Sequence, residues 1–412
     1  MVQPRLRLHL AAPALPDRDM RPAWLLPLAL CLAAAAHAAE PLAVKVGMLR
    51  QPAAKQTISF LDIPPEDESF AGAKLAAEDN NTTGKFINQT YLLVDARIAP
   101  DSDPAATLEK LAADGIALVI ADLPPEKLLA AADAGKARGM LFFNAGAVDD
   151  SLREKDCRAN VFHAAPSRSM LAEGLAQYLV WKKWRRWLLI YGSHPEDALL
   201  AEAYRHAAKK FGAKIVEERV FQDSGGGRRS DTGSVQIQRQ MPVATQSAPE
   251  HDVLVAADEN EVFAGYLPFR TWDARPVAGS GGLKPVSWDI THEQWGAAQL
   301  QNRFIKLFQR RMTARDNQAW LAMRMIGEAA SRTKSADPGA IRAFLRSPEF
   351  SIAAFKGVKL SLRDWNQQIR QPILLGDGRM IVSVSPHEGF LHQVSELDTL
   401  GVDRPESQCK LQ

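Results

Sequence analysis

The chain of 412 residues lacks most of the sequence features that usually reveal a catalytic or metal-binding function. It has three cysteines without a Cys-x-x-Cys pair, and its nine histidines show no spacing typical of metal ligands. No Gly-x-Ser-x-Gly sequence is present to form a nucleophile elbow. The formal net charge is +2, with Lys and Arg spread along the whole length, which does not favour a dedicated polyanion binder. We therefore expect no metal, no other cofactor and no nucleic-acid partner.

Long apolar runs are confined to the N-terminus. Arg21 precedes the run AWLLPLALCLAAAA, which ends in the small-x-small sequence AHA at 36–38. The run is too short to span a bilayer comfortably, and no later stretch reaches about 20 apolar residues. The pattern predicts a signal peptide over residues 1–38, with Met20 favoured as the true start, cleavage near Ala38 and export to the periplasm without membrane insertion. A buried N-terminal helix is the alternative.

The rest of the sequence alternates short apolar runs with amphipathic segments. IALVIA at 116–121, MLFFN at 140–144 and VLVAA at 253–257 are predicted to be buried strands, and segments with helical spacing separate such runs. Continuously apolar strands between amphipathic helices are typical of a parallel sheet covered on both faces. We predict an α/β protein, and its length suits two doubly wound parallel-sheet lobes.

The stretch WKKWRRWLLIYG at 181–192 concentrates tryptophan and basic residues. Its first part is predicted to be the last turn of a helix, where Lys and Arg interact favourably with the carbonyl end of the helix dipole. The following WLLIY is predicted to be a buried strand. We favour this helix–strand junction, and a surface patch for lipid or a protein partner is the alternative.

Two cysteines, Cys157 and Cys409, lie outside the N-terminal run. An exported protein meets oxidising conditions, so a disulfide that ties the C-terminal tail to the body is one interpretation. Two free buried thiols are the other.

Carboxylate pairs follow two predicted strands. Asp149-Asp150 and Asp258-Glu259 lie where α/β sheets place their ligands. Adjacent side chains point in different directions, so neither pair forms a ready acid/base couple. We therefore predict that the protein is not an enzyme.

Several segments, taken in order, resemble one known family. The first is FAGAKLAAEDNNTTGKF at 70–86, and the second is a strand–helix–strand module at 91–121 with an Asp-Pro helix start. MLFFNAGAVDDSLR at 140–153 and a helical pair at 319–347 follow. Their order and spacing resemble the type I periplasmic substrate-binding proteins of ABC transporters, the branched-chain amino-acid receptor family, over residues 42–375.

Phrases nearer the C-terminus resemble the subgroup of these receptors that is associated with PQQ-dependent alcohol oxidation systems. They are FRTWDARPVAGSGGLKP at 269–285, HEQWGAAQLQNRF at 292–304, FKGVKLSLRDWNQQIRQPILL at 355–375 and SPHEGFLHQVSELDTLG at 385–401. This narrower resemblance implies a cellular context, and it assigns neither PQQ nor an alcohol to the chain.

The family resemblance implies two lobes joined by a hinge of three chain crossings. Residues 39–163 plus 284–358 would form lobe 1, and residues 164–283 plus 359–412 would form lobe 2. Ligand would lie between the lobes at the carboxyl ends of the strands, where loop N–H groups and helix N-termini converge. Closure on the ligand would be a hinge motion, and the permease would recognise the closed form.

The ligand-binding residues are expected, by position in the family, in the loops after four strands. They are Leu123, Pro124, Asn144, Ala145, Gly146, Ala147, Ser193, His194, Asp258 and Glu259. Amino-acid receptors of the family commonly hold the ligand carboxylate with Ser or Thr hydroxyls in the first two loops. Here those loops carry prolines and Asn-Ala-Gly-Ala, so we expect a more apolar or neutral ligand, such as an aromatic or aliphatic alcohol, an aldehyde or a derived acid.

The sequence thus predicts a periplasmic solute receptor that delivers a small molecule to ABC permease and ATPase subunits. A periplasmic sensor or accessory protein of an alcohol dehydrogenase system, without transport, is the second hypothesis. A periplasmic hydrolase is the third, and no residue is nominated as its nucleophile.

Overall fold

The structure is a computed structural model that describes residues 40–52, 63–223 and 231–411, with backbone alone over 231–234. The predicted signal peptide over 1–38 lies outside the described residues. None of the helices in the described ranges is long and apolar enough to cross a membrane.

The N-terminal part of the described chain forms a sheet of five parallel strands in the order β2-β1-β3-β4-β5. Helices connect the first four of these strands. The elements are β1 (Leu42–Arg50), α1 (Phe70–Ile87), β2 (Gln89–Arg97), α2 (Ala105–Ala113), β3 (Leu118–Asp122), α3 (Pro125–Lys136), β4 (Leu141–Asn144) and β5 (Val161–His163).

The middle part forms a second parallel sheet of four strands in the order β7-β6-β8-β9. Its elements are α4 (Arg168–Trp181), β6 (Arg186–Gly192), α5 (Pro195–Phe211), β7 (Lys214–Phe221), α6 (Asp231–Thr245), β8 (Val253–Ala257), α7 (Leu267–Arg270) and β9 (Val277–Gly279).

The C-terminal part contains three helices and short antiparallel strands. Strands β10, β13 and β14 form one small sheet, and β11 pairs with β12. The elements are β10 (Lys284–Val286), α8 (Ala297–Phe308), α9 (Ala314–Thr333), α10 (Pro338–Leu345), β11 (Ile352–Ala353), β12 (Lys359–Leu360), β13 (Ile373–Gly376) and β14 (Ile381–Ser385).

Each parallel sheet lies between two apolar cores. In β3, Leu118 and Ile120 pack in the core on one face, and Val119 and Ala121 pack in the core on the other face. Strand β6 alternates in the same way between the two cores of the second sheet. Successive side chains of a strand point to opposite faces, so a strand covered on both sides must be apolar throughout. The predicted α/β fold class is confirmed.

The C-terminal segments complete cores of both sheets. Trp288 and Ile369, together with buried residues of α8 and α9, belong to the core that also contains β1 and β3. Ile373 and Leu400 belong to the core that contains α4 and β6. The chain therefore returns to the first sheet after β10 and to the second sheet after Ile369.

The tryptophan-rich stretch lies at the junction of α4 and β6. Trp187 is fully buried, and its indole N–H donates to the carbonyl of Trp184 at 2.8 Å. Trp181 is 53% exposed, with its ring stacked on His387 and with Lys182 Nζ 4.8 Å from its centroid. The helix–strand junction is thus present in the structure, and the stretch uses two of its tryptophans to form it.

The C-terminal tail returns to the first sheet. Cys157 and Cys409 are joined by a disulfide across 252 positions of sequence. The backbone N–H of Gln408 also donates to Glu154 Oε2 at 2.6 Å. These contacts hold the tail beside the segment that connects β4 to β5.

Helices α1 and α9 approach each other closely because glycine occupies the contact. A Cβ built on Gly72 of α1 would lie 1.8 Å from the carbonyl oxygen of Asp316, which is in the first turn of α9. Backbone atoms cannot rotate away as a side chain can, so a larger residue must push the two helices apart.

We predict that Gly72→Ala lowers the free energy of unfolding by about 2 kcal/mol, because overpacking a tight helix contact outweighs the better helix propensity of Ala. Urea denaturation followed by circular dichroism measures the change. Gly265→Ala is the matched control, since a Cβ there meets nothing within 4 Å, and it should change stability by less than about 0.5 kcal/mol. Equal effects of the two substitutions would contradict the close contact.

Candidate functional site

Polar and charged side chains lie where the strands of the first sheet end. Arg50, Asp122, Asn144 and His163 are the last residues of β1, β3, β4 and β5, and all four are buried. Parallel strands bring their carboxyl ends to one edge of the sheet, so these side chains share that edge.

Asp122 connects three distant segments at this edge. The hydroxyl of Ser69 donates to Asp122 Oδ2, and Arg315 Nη1 donates to Asp122 Oδ1 at 2.5 Å. Gly146 leaves space for the carboxylate, because a Cβ there would lie 2.1 Å from Asp122 Oδ1. The residue before α1, the end of β3, the loop after β4 and the start of α9 therefore meet at one carboxylate.

Ser69 holds an unusual backbone conformation at this point. Its φ is 66°, in the left-handed region that a residue with a side chain rarely adopts. Its N–H donates to Asp316 Oδ1 at 2.9 Å, which together with the Asp122 contact fixes the conformation. Backbone strain of this kind persists only where the surroundings determine it, and it is concentrated at functional sites.

Arg315 is the partly open member of the group. Its side chain remains 45% exposed, whereas that of its partner Asp122 is 9% exposed. The charges of Asp122 and, more weakly, of Glu68 and Glu259 raise the pKa of Arg315 against the effect of burial. Within the described residues its hydrogen bond to Asp122 leaves other guanidinium N–H groups without an acceptor. Arg315 can therefore donate hydrogen bonds to a further group.

Glu68 lies on the same side of the site. Burial raises the pKa of its carboxyl, while a hydrogen bond from Thr313 and the charge of Arg315 act in the opposite direction. The Glu68 carboxyl therefore adds hydrogen-bond acceptors to this side of the site.

The second sheet supplies Asp258 and Glu259 immediately after β8. The Asp258 carboxylate accepts hydrogen bonds from the backbone N–H groups of Val262, Phe263 and Ala264 at 2.7–2.8 Å. Its pKa is nevertheless raised, because burial outweighs these hydrogen bonds. Asp258 therefore stabilises the loop that follows it, and Glu259 instead contacts Arg168.

Arg168 connects the strand ends of the two sheets. Its guanidinium binds Glu259 through two hydrogen bonds of 2.6 and 2.8 Å and binds Asp149 Oδ1 at 2.6 Å. Its side chain is only 5% exposed. Burial lowers the pKa of Arg168, and the two carboxylates more than compensate, so the net shift is upward. Burial likewise raises the pKa of Glu259, and Arg168 opposes that shift.

The structure brings only part of the sequence-predicted set to this place. Glu259 contacts Arg168, and Gly146 borders Asp122. The Asn144 side chain is used within its own turn, where Oδ1 accepts from the N–H groups of Gly146 and Ala147. Ala145 and Ala147 are buried in apolar cores.

The other predicted residues have structural contacts elsewhere. Leu123 is buried in a core of the first sheet, and Pro124 precedes the first turn of α3. Ser193 Oγ accepts from the N–H of Asp223 at 3.1 Å, and His194 Nε2 lies 2.9 Å from Asp223 Oδ2. These contacts hold the start of α5 against the end of β7.

Sequence reasoning missed four residues that the structure places at the site, namely Ser69, Asp122, Arg168 and Arg315. Asp122 had a local signal, since it directly precedes the predicted loop. Ser69 and Arg315 had no local signal, because their segments are far apart in sequence and meet only in the fold. Ser69 and Asp316, which are hydrogen-bonded, are 247 positions apart. In the described ranges no group of three or more His, Cys, Asp or Glu side chains is arranged to hold a metal ion.

The fold is that of the type I periplasmic binding proteins. A periplasmic binding protein from Burkholderia mallei superposes with a TM-score of 0.64 at 16% identity, covering 90% of this chain and 99% of that one. A branched-chain amino-acid ABC transporter periplasmic ligand-binding protein from Burkholderia xenovorans gives a TM-score of 0.69 at 17% identity, with 89% and 99% covered.

A family model matches part of the sequence, and a further solved structure has a similar fold. Residues 65–234 match the family model described as "Periplasmic binding protein". A branched-chain amino-acid transporter substrate-binding protein from Streptococcus pneumoniae, solved in complex with isoleucine, gives a TM-score of 0.60 at 14% identity, with 83% of this chain and 99% of that one covered. No curated protein matches the chain in sequence. These findings support the predicted family, and the alcohol-oxidation subgroup stays a prediction.

We predict that Arg168→Gln lowers the free energy of unfolding by about 3 kcal/mol, because it leaves two carboxylates without their buried partner. Glu259→Gln should cost less, since Arg168 keeps Asp149. Thermal and urea denaturation measure both, and the double variant gives the coupling energy. Arg185→Gln, at an exposed arginine, is the control and should stay within about 0.5 kcal/mol of wild type. Additive effects of the two site variants would contradict the contact.

Proposed function

We propose that the protein is the periplasmic solute-binding component of an ABC transporter, which delivers a small organic ligand to a membrane permease driven by an ATPase. The observation that carries the proposal is the convergence of strand ends from both parallel sheets. Asp122 and Arg315 at the first sheet lie near Glu259 at the second. Arg168 links Glu259 to Asp149, which follows β4 of the first sheet. Ligands of α/β proteins bind at such strand ends.

The course of the chain supports a hinge between two lobes. The chain passes from the cores of one sheet to those of the other near residues 165–169, 284–287 and 370–372. Three connections between the lobes would allow the lobes to rotate about one axis while each core stays intact. Opening and closing of this hinge would admit the ligand and then present the closed receptor to the permease.

We propose an oxygen-bearing ligand, namely an aliphatic or aromatic alcohol, an aldehyde or a derived acid. Arg315 supplies N–H donors, and Glu68 supplies carboxyl oxygens that accept hydrogen bonds. The loops after β3 and β4 offer no Ser or Thr hydroxyl to a ligand carboxylate. The C-terminal phrases that resemble the PQQ-associated receptors support an alcohol-oxidation context.

Isothermal titration of the purified protein with matched alcohols and carboxylates of equal carbon number tests this proposal, with leucine and isoleucine as comparison ligands. We expect Arg315→Gln to weaken binding of the carboxylate by about 10- to 100-fold, because a hydrogen bond to a charged group is lost, and to affect the alcohol less. Arg332→Gln, at the far end of the same helix, is the control and should bind like wild type.

Tight binding of leucine by wild-type protein, with no response to any alcohol or acid, would refute the ligand class. Binding that is insensitive to Arg315→Gln would refute the role of Arg315. Solute uptake by cells that lack the gene separates transport from the second hypothesis, because a sensor or accessory protein would leave uptake unchanged.

A further inference from the structure

Two large aromatic side chains project into solvent at the end of α7 and just after it. Phe269 at the end of α7 is 85% exposed, and Trp272 is 62% exposed. Helix α6 packs against α7 and adds Val243, which is 61% exposed, and Val235, which is 43% exposed. We call this surface, made of Val235, Val243, Phe269 and Trp272, the α6–α7 face.

The inner sides of the same elements already fill a core. Ile237, Met241 and Leu267 are buried against β6 and β8. The N–H of Trp272 donates to Thr245 Oγ1 at 2.7 Å, which fixes the chain after α7 against the end of α6. The exposed aromatic residues therefore add nothing to the packing of this core. Large apolar side chains grouped on a surface usually mark a place where something binds.

Basic residues surround the α6–α7 face. Arg239, Arg270 and Arg275 are exposed on or just after these helices, and Asp273 is an exposed acid among the side chains described there. Glu250 pairs with Arg186 at 2.9 Å and also interacts more weakly with the charge of Arg275. The face thus combines apolar rings with an excess of positive charge, so a second copy of the same face would be repelled by it.

We infer that the α6–α7 face adsorbs the protein to an anionic phospholipid surface. Trp272 lies in the headgroup layer, which favours its ring because the indole has an apolar body and a polar N–H. Phe269 adds an apolar contact at the boundary with the acyl chains. The arginines lie against lipid phosphates, which attract basic residues near a membrane surface. The contact is peripheral, and it would keep a soluble receptor beside the membrane that holds its permease.

The tryptophan-rich stretch at 181–192 offers a less available surface. Trp181 stacks on His387 and contacts the tilted ring of Tyr178, and Lys182 lies over its ring, so this tryptophan already has partners within the protein. Phe269 and Trp272 have no ring partner among the described residues. The structure therefore favours the α6–α7 face as the lipid contact.

Co-sedimentation with phosphatidylglycerol vesicles and with phosphatidylcholine vesicles, at low and at physiological salt, tests the inference. We expect wild-type protein to bind the anionic vesicles and to be released by salt. Phe269→Ser with Trp272→Ser should weaken this binding at least about tenfold, because the apolar contact is lost. Arg239→Gln with Arg270→Gln and Arg275→Gln should remove the preference for anionic lipid.

Phe86→Ser is the matched control, because Phe86 is 87% exposed on α1 and lies outside the α6–α7 face. It should bind vesicles like wild type, and all variants should unfold at the wild-type temperature. Absence of wild-type binding to phosphatidylglycerol, or an equal loss in Phe86→Ser, would overturn the inference. A wild-type dimer in solution that becomes monomeric in the Phe269→Ser and Trp272→Ser variant would also overturn the inference, because it would assign the face to a second copy. Ligand titration is independent of these outcomes, so the proposed receptor function stands or falls separately.

Discussion

Burial of both faces of two parallel sheets is the constraint on which the candidate site depends. Strands such as β3 and β6 are apolar along their length because each side chain faces a core. Unpaired polar groups are too costly inside these layers, so they are admitted where a strand ends. Asp122 and Asn144 stand at such ends, and Asp258 directly follows one. The architecture thereby concentrates the polar chemistry of the chain at one edge of each sheet.

Charges collected at these edges must be compensated, and Arg168 does this for both sheets at once. Its guanidinium donates hydrogen bonds to the carboxylates of Asp149 and Glu259. A ligand that bound Glu259 would have to replace one half of that interaction. If the proposed ligand binds Glu259, ligand recognition and the relative position of the two sheets would be coupled, because the same carboxylate would serve both.

The fold could be predicted largely from the sequence because its signals are local. Runs such as IALVIA and MLFFN identify buried strands, and helical spacing between them identifies the covering helices.

The site could be predicted only in part. Glu259 could be nominated because it follows a strand, whereas Arg315 and Ser69 reach Asp122 from segments far apart in sequence. Asn144, Ser193 and His194 satisfy the strand-end rule equally well, and their side chains serve turns and helix starts. The phrase FRTW helped to suggest a family, but exposure of Phe269 and Trp272 depends on packing that no local pattern encodes.

The disulfide between Cys157 and Cys409 has a mechanical consequence in the two-lobe arrangement proposed above. Leu400 is anchored in a core of the second sheet, and Cys409, nine positions later, is bonded to the connection between β4 and β5 of the first. A fully extended tether of that length reaches roughly 30 Å. In that arrangement the oxidised tail would limit how far the two lobes can separate, and reduction of the disulfide would remove this limit.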